Sequence, residues 1–386
     1  MINYLGGNRL ELLRSGKEYF PALERAILSA EDDIHLETYI YEDDVTGRRI
    51  TEALCAAARR GVRVHVLVDG FGAKDLSPEI RRVLAAAGAM LLVFRPDISS
   101  FPFHRHRLRR MHRKLAVVDD KVAFVGGINV IDDLHTPGQV PPRYDFAVQV
   151  EGPLLAPMRE EAEKLWGLIF LINHRWRWDF PHPVSADCAP MGTQRAALVV
   201  RDNLRHRSDI EDAYLELIEA ARGEIVLANA YFFPGIRFRR ALVRAARRGV
   251  RVVLLLQGRV EYLLLHYASR ALYGTLLHAG VEIHEYHKSF MHAKVAVIDQ
   301  RWATVGSSNI DPFSLTLARE ANVFVDDPRF AQELLLSLHR AMEEGGRLVA
   351  KTSWFHQPLW QRLPIWAAYS LVRFLMGMVG YGGQHY

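Results

Sequence analysis

The segment His112-Arg-Lys-Leu-Ala-Val-Val-Asp119 returns 180 residues later as His292-Ala-Lys-Val-Ala-Val-Ile-Asp299. The same offset of 180 aligns the turn-like segment Gly126-Gly-Ile-Asn129 with Gly306-Ser-Ser-Asn309. A repeat that stays in register over this distance indicates that one supersecondary layout occurs twice in the chain.

The repeat also extends upstream of the two motifs. Arg59-Arg-Gly-Val-Arg-Val-His-Val-Leu67 matches Arg247-Arg-Gly-Val-Arg-Val-Val-Leu-Leu255, and residues 34–39 loosely match residues 225–231. In each half, apolar runs typical of strands follow stretches with amphipathic helical periodicity, which is the alternation expected of a sheet with helices packed on it. We therefore predict an α/β fold of two pseudo-symmetric lobes, each a mixed β-sheet flanked by helices.

The length of 386 residues is enough for two domains with a core each. Residues 179–190 contain three prolines and little periodicity, and we place a linker there. The first lobe is then 1–178, the second 191–350, and residues 351–386 form a C-terminal tail.

Composition and charge exclude several classes of protein. With 49% hydrophobic and 24% charged residues, the chain is too apolar to be disordered. Cys55 and Cys188 are its only cysteines, which implies no disulfide framework and fits a reducing compartment. The N-terminus lacks the pattern of a secretory signal, and the apolar stretch 363–381 is interrupted by Pro364, Arg373 and glycines, so that we expect no spanning helix there.

The repeated motif places a histidine beside a lysine. Because alternate residues of a strand share a face, His112 and Lys114 point the same way, as do His292 and Lys294. Asp119 and Asp299 have the opposite parity and open short turn-like stretches, so a structural role stays open for both.

A histidine and a permanent cation on one face suit the binding and attack of a phosphate group. Two such sets that face each other across a lobe interface supply one histidine to attack phosphorus and another to protonate the leaving oxygen. We therefore expect a single active site at that interface. A duplicated scaffold without activity is the alternative.

These paired motifs, each followed by a Gly-(Gly/Ser)-x-Asn turn, resemble the phospholipase D superfamily over nearly the whole chain. More narrowly, four segments resemble the short, B-type branch of bacterial cardiolipin synthases. They are Gly126-Gly-Ile-Asn129, Tyr144-Asp-Phe-Ala-Val-Gln-Val-Glu-Gly152, Tyr231-Phe-Phe-Pro234 and Gly306-Ser-Ser-Asn-Ile-Asp-Pro-Phe-Ser314.

The resemblance implies transfer of a phosphatidyl group between two phosphatidylglycerol molecules through a phosphohistidine, giving cardiolipin and glycerol without a metal or another cofactor. It makes His112 the nucleophile and His292 the acid and then the base, an order that the strand argument leaves open. The implied catalytic set is His112, Lys114, Asp119, His292, Lys294 and Asp299. Lys114, Lys294, Asn129 and Asn309 would hold phosphoryl oxygens, and Asp145 and Glu320 would each orient the histidine of their own motif. The family usually has Asn where this chain has Ala318, two positions before Glu320.

Two other functions stay open at this point. Water as the acceptor would make the protein a phospholipase D or a nuclease, because acceptor choice depends on pocket shape and water exclusion. A membrane adaptor without activity is the third interpretation.

A basic run precedes the first motif, with six Lys or Arg among residues 104–114. It suits an anionic headgroup or membrane surface, with nucleic acid and a solvated loop as rival interpretations. The run contains few aromatic residues for base stacking, so we expect no nucleic-acid partner. His104 with His106, and His284 with His287, lack acidic or Cys partners at ligand spacing, and we expect no metal there.

The tail predicts a helix that lies in a membrane surface. At 100° per residue, Trp366, Tyr369 and Arg373 share a narrow face, and Leu371, Phe374, Leu375 and Met378 fill the rest. Packing against the protein or in a dimer is the alternative, and the oligomeric state stays open. We expect a peripheral protein at the anionic, cytoplasmic side of the cell membrane.

Overall fold

The computed structural model describes residues 2–96, 109–174, 188–202, 205–311, 314, 317–356 and 358–376. Most of the predicted linker, the first five residues of the basic run and the last ten residues of the tail lie outside this part of the chain.

The described residues form eighteen strands and eleven helices. The strands are β1 Leu5–Arg14, β2 Asp33–Thr38, β3 Arg63–Asp69, β4 Met90–Phe94, β5 Arg110–Met111, β6 Lys114–Val118, β7 Val122–Gly126, β8 Arg143–Tyr144, β9 Phe146–Glu151, β10 Gln194–Arg201, β11 Glu224–Asn229, β12 Arg251–Gln257, β13 Glu282–Tyr286, β14 Phe290–Met291, β15 Lys294–Ile298, β16 Trp302–Gly306, β17 Ala318–Asp326 and β18 Gly346–Leu348. The helices are α1 Ser15–Ser29, α2 Val45–Arg59, α3 Pro78–Ala86, α4 Leu155–His174, α5 Asp209–Ala220, α6 Ile236–Arg247, α7 Leu263–Arg270, α8 Tyr273–His278, α9 Pro328–Gly345, α10 Lys351–Phe355 and α11 Leu359–Met376.

One mixed sheet runs through both halves in the order β18-β13-β12-β11-β15-β16-β17-β10-β1-β9-β7-β6-β2-β3-β4. Its two halves mirror each other in strand order around the antiparallel pair β1 and β10. In each half, the strand of the repeated motif pairs antiparallel with the first of several parallel strands. These pairs are β6 with β2 and β15 with β11. The predicted α/β fold with two pseudo-symmetric lobes is confirmed.

Helices cover both faces of the sheet, and the strands next to the repeated motifs are accordingly buried on both sides. Every residue of β2 is buried, and β3 and β12 are exposed only at their first residue. Helices α1–α3 pack on the first lobe, while α5, α6 and α8 pack on the second. A third core belongs to both lobes, since α4 and α9 pack there against strands of both halves. This shared core fixes the lobes against each other.

Two short parallel pairs join the lobes directly in front of the repeated motifs. The pair β5–β17 aligns Arg110 with Ala318, and the pair β8–β14 aligns Arg143 with Phe290. Each pair therefore ends at a motif histidine on one strand and at a carboxylate-bearing position on the other.

The tail helix α11 packs on the second lobe. Its Ala368 and Val372 are buried in one small cluster with Ala268 of α7 and with Phe233. In the described residues, no helix is both long and apolar enough to cross a bilayer.

Candidate active site

The backbone before each histidine is held by the opposite lobe. The amide N–H of His112 donates to Arg319 O over 3.0 Å, and that of His292 donates to Tyr144 O over 2.8 Å. Arg319 and Tyr144 directly precede Glu320 and Asp145. Each of the two interlobe strand pairs therefore places a histidine next to a carboxylate.

Each histidine pairs with the carboxylate of the other repeat. His112 Nδ1 lies 2.9 Å from Glu320 Oε1, and His292 Nδ1 lies 2.7 Å from Asp145 Oδ2. The sequence-based expectation that each carboxylate orients the histidine of its own motif is therefore wrong. The reason is the parallel interlobe pairing of β5 with β17 and of β8 with β14, which no pattern within one repeat reveals.

Neighbouring groups fix the two carboxylates. Ser307 Oγ donates to Glu320, which gives this carboxylate a second partner besides His112. At the equivalent position of the first repeat, a Cβ on Gly127 would lie 2.4 Å from Asp145 Oδ1, so that only glycine leaves room for this carboxylate. The absence of the family's usual Asn at Ala318 does not leave Glu320 unsupported.

The surroundings of both histidines favour the neutral imidazole while no anion is bound. Burial lowers the pKa of His112, and burial together with the charges of Lys294 and Arg143 lowers the pKa of His292 well below its usual range. A neutral imidazole that donates Nδ1–H to a carboxylate keeps the lone pair on Nε2. Each ring can thus attack or accept a proton through Nε2.

The two lysines lie under the histidines and are almost fully buried. Lys114 Nζ donates to His112 O, and Lys294 Nζ donates to His292 O and lies 2.9 Å from His292 Nδ1. Burial lowers the lysine pKa values to about 7 for Lys114 and about 8 for Lys294, and burial raises that of Asp145 to about 6. An anion that entered this site would favour the charged form of both lysines.

The two asparagines of the turn segments are also buried. Asn129 Oδ1 accepts from the amide of Ile40 over 3.1 Å, which leaves its NH2 group to serve as a donor. Asn309 is 3% exposed, and its Oδ1 has no hydrogen-bond partner in the described part of the chain.

Asp119 and Asp299 do not belong to the reacting set, which corrects their inclusion among the catalytic residues. The carboxylate of Asp119 accepts from the amides of Glu31, Asp32 and Asp33. Asp299 accepts in the same way from the amides of residues 222–224. Both aspartates have positive φ, 48° and 50°, and tie the turn after the catalytic strand to the start of β2 or β11.

We expect Asp119→Ala to lower stability rather than the rate of the chemical step. The substitution leaves three backbone donors without their carboxylate partner, and an unpaired buried donor costs about 1–3 kcal/mol. Thermal unfolding should show the loss, while kcat of the folded protein stays within about threefold of the wild type. A collapse of kcat with an unchanged melting temperature would restore Asp119 to the catalytic set.

Sequence reasoning missed Asp69 and Tyr39, which position His112. Asp69 accepts from the amide of Met111 over 2.8 Å and so holds the residue before His112. The ring of Tyr39 stands edge-on to His112 with centroids 4.8 Å apart, and Lys114 Nζ lies 5.3 Å from the Tyr39 centroid. Arg113 points to the opposite side and forms a buried ion pair with Glu37. The position of Asp69 at the end of β3 could have indicated its role in the sequence. The second repeat has Gln257 at the equivalent position, so a comparison of the two repeats does not single out Asp69.

One cluster of metal-ligand type occurs among the described residues. Potential ligand atoms of the buried Asp33, His35 and His65 lie within 4.8 Å of one another. The guanidinium of Arg159 lies 3.6 Å from Asp33 Oδ1 and already balances its charge, so we interpret the group as a buried polar network. The pair His284 and His287 forms no such group in this part of the chain, and His104 and His106 lie outside it.

Comparisons with known proteins find relatives over nearly the whole chain. A family model described as cardiolipin synthase, phospholipase D-like domain, matches residues 23–166 and 214–341. Cardiolipin synthase B of Escherichia coli K12 is 40% identical over 380 residues, which cover 98% of this chain and 91% of that protein. The major cardiolipin synthase of Bacillus subtilis is 28% identical, with 92% of this chain and 73% of that protein covered.

The fold also resembles that of solved structures. The crystal structure of phosphatidylserine synthase from Haemophilus influenzae superposes with a TM-score of 0.66 at 15% identity and covers 96% of this chain and 94% of the other. Polyphosphate kinase from Porphyromonas gingivalis reaches a TM-score of 0.57 at 14% identity, with 89% of this chain and 49% of the other covered. Likenesses at these identities concern the fold alone.

Proposed function

This chain belongs to the cardiolipin synthases with phospholipase D-like domains, and from that premise we propose the reaction that its site carries out. The phosphatidyl group of one phosphatidylglycerol passes to a primary glycerol hydroxyl of a second, and the products are one cardiolipin and one glycerol. The protein is thus a phosphatidyltransferase that works through a phosphohistidine.

The reaction has two balanced steps. The first step begins with His292 protonated on Nε2, a form that the bound anionic diester favours. Nε2 of His112 then forms a bond to phosphorus, the bond from phosphorus to the glycerol oxygen breaks, and His292 gives that oxygen its Nε2 proton. In the second, His292 takes the proton of the second lipid's hydroxyl, whose oxygen attacks phosphorus and releases His112. The enzyme returns to its initial state with no net proton change.

The observation that supports this proposal best is the crossed pairing of histidines and carboxylates. A His112 that bears phosphorus keeps its orientation through Glu320, and the positive charge that His292 carries before the first step and regains in the second is stabilised by Asp145. The buried Lys114 and Lys294, together with Asn129 and Asn309, would face the oxygens of the phosphoryl group.

Product analysis tests the proposal directly. Purified protein is incubated with phosphatidylglycerol vesicles in EDTA, and lipids and glycerol are quantified by mass spectrometry. We expect cardiolipin with an equimolar amount of glycerol. Phosphatidic acid as the main product would show that water is the acceptor, and no product with phosphatidylglycerol but turnover of phosphatidylethanolamine would change the donor.

We further propose that the protein binds an anionic membrane surface from the cytoplasmic side through α11. While one face of this helix packs on α7, other side chains are exposed: Trp360 by 68%, Leu363 by 68%, Trp366 by 51% and Phe374 by 62%. Tyr262 and Leu263, at the start of α7, are exposed by 59% and 61%. Aromatic and aliphatic groups beside Arg362 and Arg373 suit the interface of an anionic leaflet.

We expect Trp366→Glu and Phe374→Glu each to weaken binding to phosphatidylglycerol vesicles by about tenfold or more. Burial of one such side chain in the interface is worth about 1.5–3 kcal/mol, and about 1.4 kcal/mol corresponds to a factor of ten. Cosedimentation measures the effect. The matched control is Leu336→Glu, at an exposed apolar position of α9, and equal binding of all three variants would refute this role of α11.

A further inference from the structure

The pseudo-symmetry of the two repeats is broken beside the histidines. Thr38 and Asn229 are the last residues of the equivalent strands β2 and β11. The next residue is Tyr39 in the first lobe, whose ring lies against His112, and Ala230 in the second. Ala230 donates its amide N–H to Ala293 O over 2.9 Å and so lies along the backbone next to His292. A methyl group thus replaces an aromatic ring on the side of His292.

A cleft occupies the second lobe at this position. It lies at the carboxyl ends of the parallel strands β11 and β12, where α/β sheets usually bind ligands. Six of the residues that line it are Ala230, Tyr231, Gln257, Glu261, Tyr262 and His266. The Gln257 side chain is 8% exposed, and its Nε2 has no hydrogen-bond partner among the residues that the structure describes.

Glu261 gives this cleft a carboxylate close to the catalytic cations. Tyr231 donates its hydroxyl to this carboxylate. Burial raises the pKa of Glu261, whereas the nearby charges of Arg143 and Lys294 lower it, which places the carboxylate within their field. The loop that carries Glu261 is tied to the first lobe, because Gln139 Nε2 donates to Val260 O over 2.9 Å.

Arg143 connects the cleft with His292. Its side chain is 6% exposed, and its guanidinium lies 4.9 Å from the ring centroid of Phe290, which in turn lies 6.0 Å from that of His292. Arg143 donates one hydrogen bond, to His135 O, and its Nε has no partner among the described residues.

The mixture of donors and acceptors selects the kind of group that fits. A second phosphate would be repelled by the negative charge of Glu261. The Glu261 carboxylate also needs hydrogen-bond donors, and a phosphate diester has none to offer. An ammonium group would be repelled by the neighbouring Arg143 and Lys294. Hydroxyl groups, which both donate and accept, match Glu261, Gln257 and Arg143 together.

We propose that this cleft is the subsite for the glycerol headgroup, both of the lipid that loses glycerol and of the lipid that accepts the phosphatidyl group. The proposal rests on the proposed function. It places the reacting glycerol oxygen on the side of His292, so His292 exchanges the proton with that oxygen and His112 is left to bind phosphorus. The broken symmetry thus chooses between two histidines that the repeated motif alone makes equivalent.

Acceptor competition tests the subsite. Wild type and variants receive phosphatidylglycerol vesicles with isotope-labelled glycerol and 1-propanol at equal concentration, and labelled phosphatidylglycerol and phosphatidylpropanol are quantified. For Glu261→Gln we expect the preference for glycerol over propanol to fall about tenfold, or about 1.4 kcal/mol, while phosphatidylpropanol is still formed. Tyr231→Phe, which keeps the carboxylate, should lower the preference less. Glu219→Gln, at an exposed position on α5, is the matched control.

The outcomes separate this proposal from the proposed function. An unchanged preference in active Glu261→Gln and Tyr231→Phe variants would overturn the subsite, as would an equal loss of transfer to both alcohols. A selective loss of transfer to ethanolamine, tested in a parallel reaction, would show that the cleft reads an ammonium group instead. Absence of transfer to any alcohol by the wild type would instead refute the proposed function.

Discussion

His112→Ala and His292→Ala should each abolish cardiolipin formation, with kcat reduced on the order of 10⁴-fold or more. The first substitution removes the atom that bonds to phosphorus, and the second removes the group that protonates the leaving oxygen. Neither loss can be compensated by the remaining histidine, because each ring is fixed by the carboxylate of the opposite repeat.

Initial rates with phosphatidylglycerol vesicles measure this effect, and circular dichroism verifies that the variants fold. His206→Ala is the matched control, since His206 is an exposed histidine that pairs with Asp209 on the surface of the second lobe. Near-normal activity of either active-site variant would remove that histidine from the mechanism.

The second large effect concerns the crossed carboxylates. Asp145→Asn and Glu320→Gln should each lower kcat on the order of 10²–10⁴-fold, because an amide can hold its histidine in the wrong tautomer and cannot stabilise the imidazolium. The folded structure should persist, since both substitutions keep the shape of the side chain.

Proton NMR of the low-field imidazole N–H signals distinguishes crossed from uncrossed pairing. We expect Asp145→Asn to shift the signal that disappears in His292→Ala, and Glu320→Gln to shift the signal that disappears in His112→Ala. Asp119→Ala serves as the control and should move neither signal strongly. If Asp145→Asn acted on the His112 signal instead, the crossed geometry would be refuted.

Much of the fold could be read from the sequence because the repeat is explicit. The matching segments at residues 59–67 and 247–255 became the equivalent strands β3 and β12, and the two motifs became β6 and β15. The turn positions of Asp119 and Asp299 followed from parity along the strand, and the structure shows them as anchors of those turns.

The partners of the site could not be read in the same way. Crossed pairing depends on β5 and β8, two-residue strands without a hydrophobic period, which pair with the opposite lobe. Alignment of the two repeats identifies the residues that they share. Tyr39 and Ala230 occupy equivalent positions, and they matter because they differ. Helical periodicity of the tail predicted an apolar surface, but only the packing of Ala368 and Val372 on α7 shows which part of that surface is covered.

The central claim is that phosphorus is carried on His112, and its most direct test is to isolate the adduct. The enzyme is mixed with phosphatidylglycerol vesicles, quenched in alkali because phosphohistidine is stable there, digested and mapped by mass spectrometry. We predict a phosphatidyl mass on the peptide that contains His112, at a level that rises when acceptor is scarce, and none in His112→Ala. Cardiolipin that accumulates while the His112 peptide stays unmodified, or an adduct on His292 instead, would contradict the account.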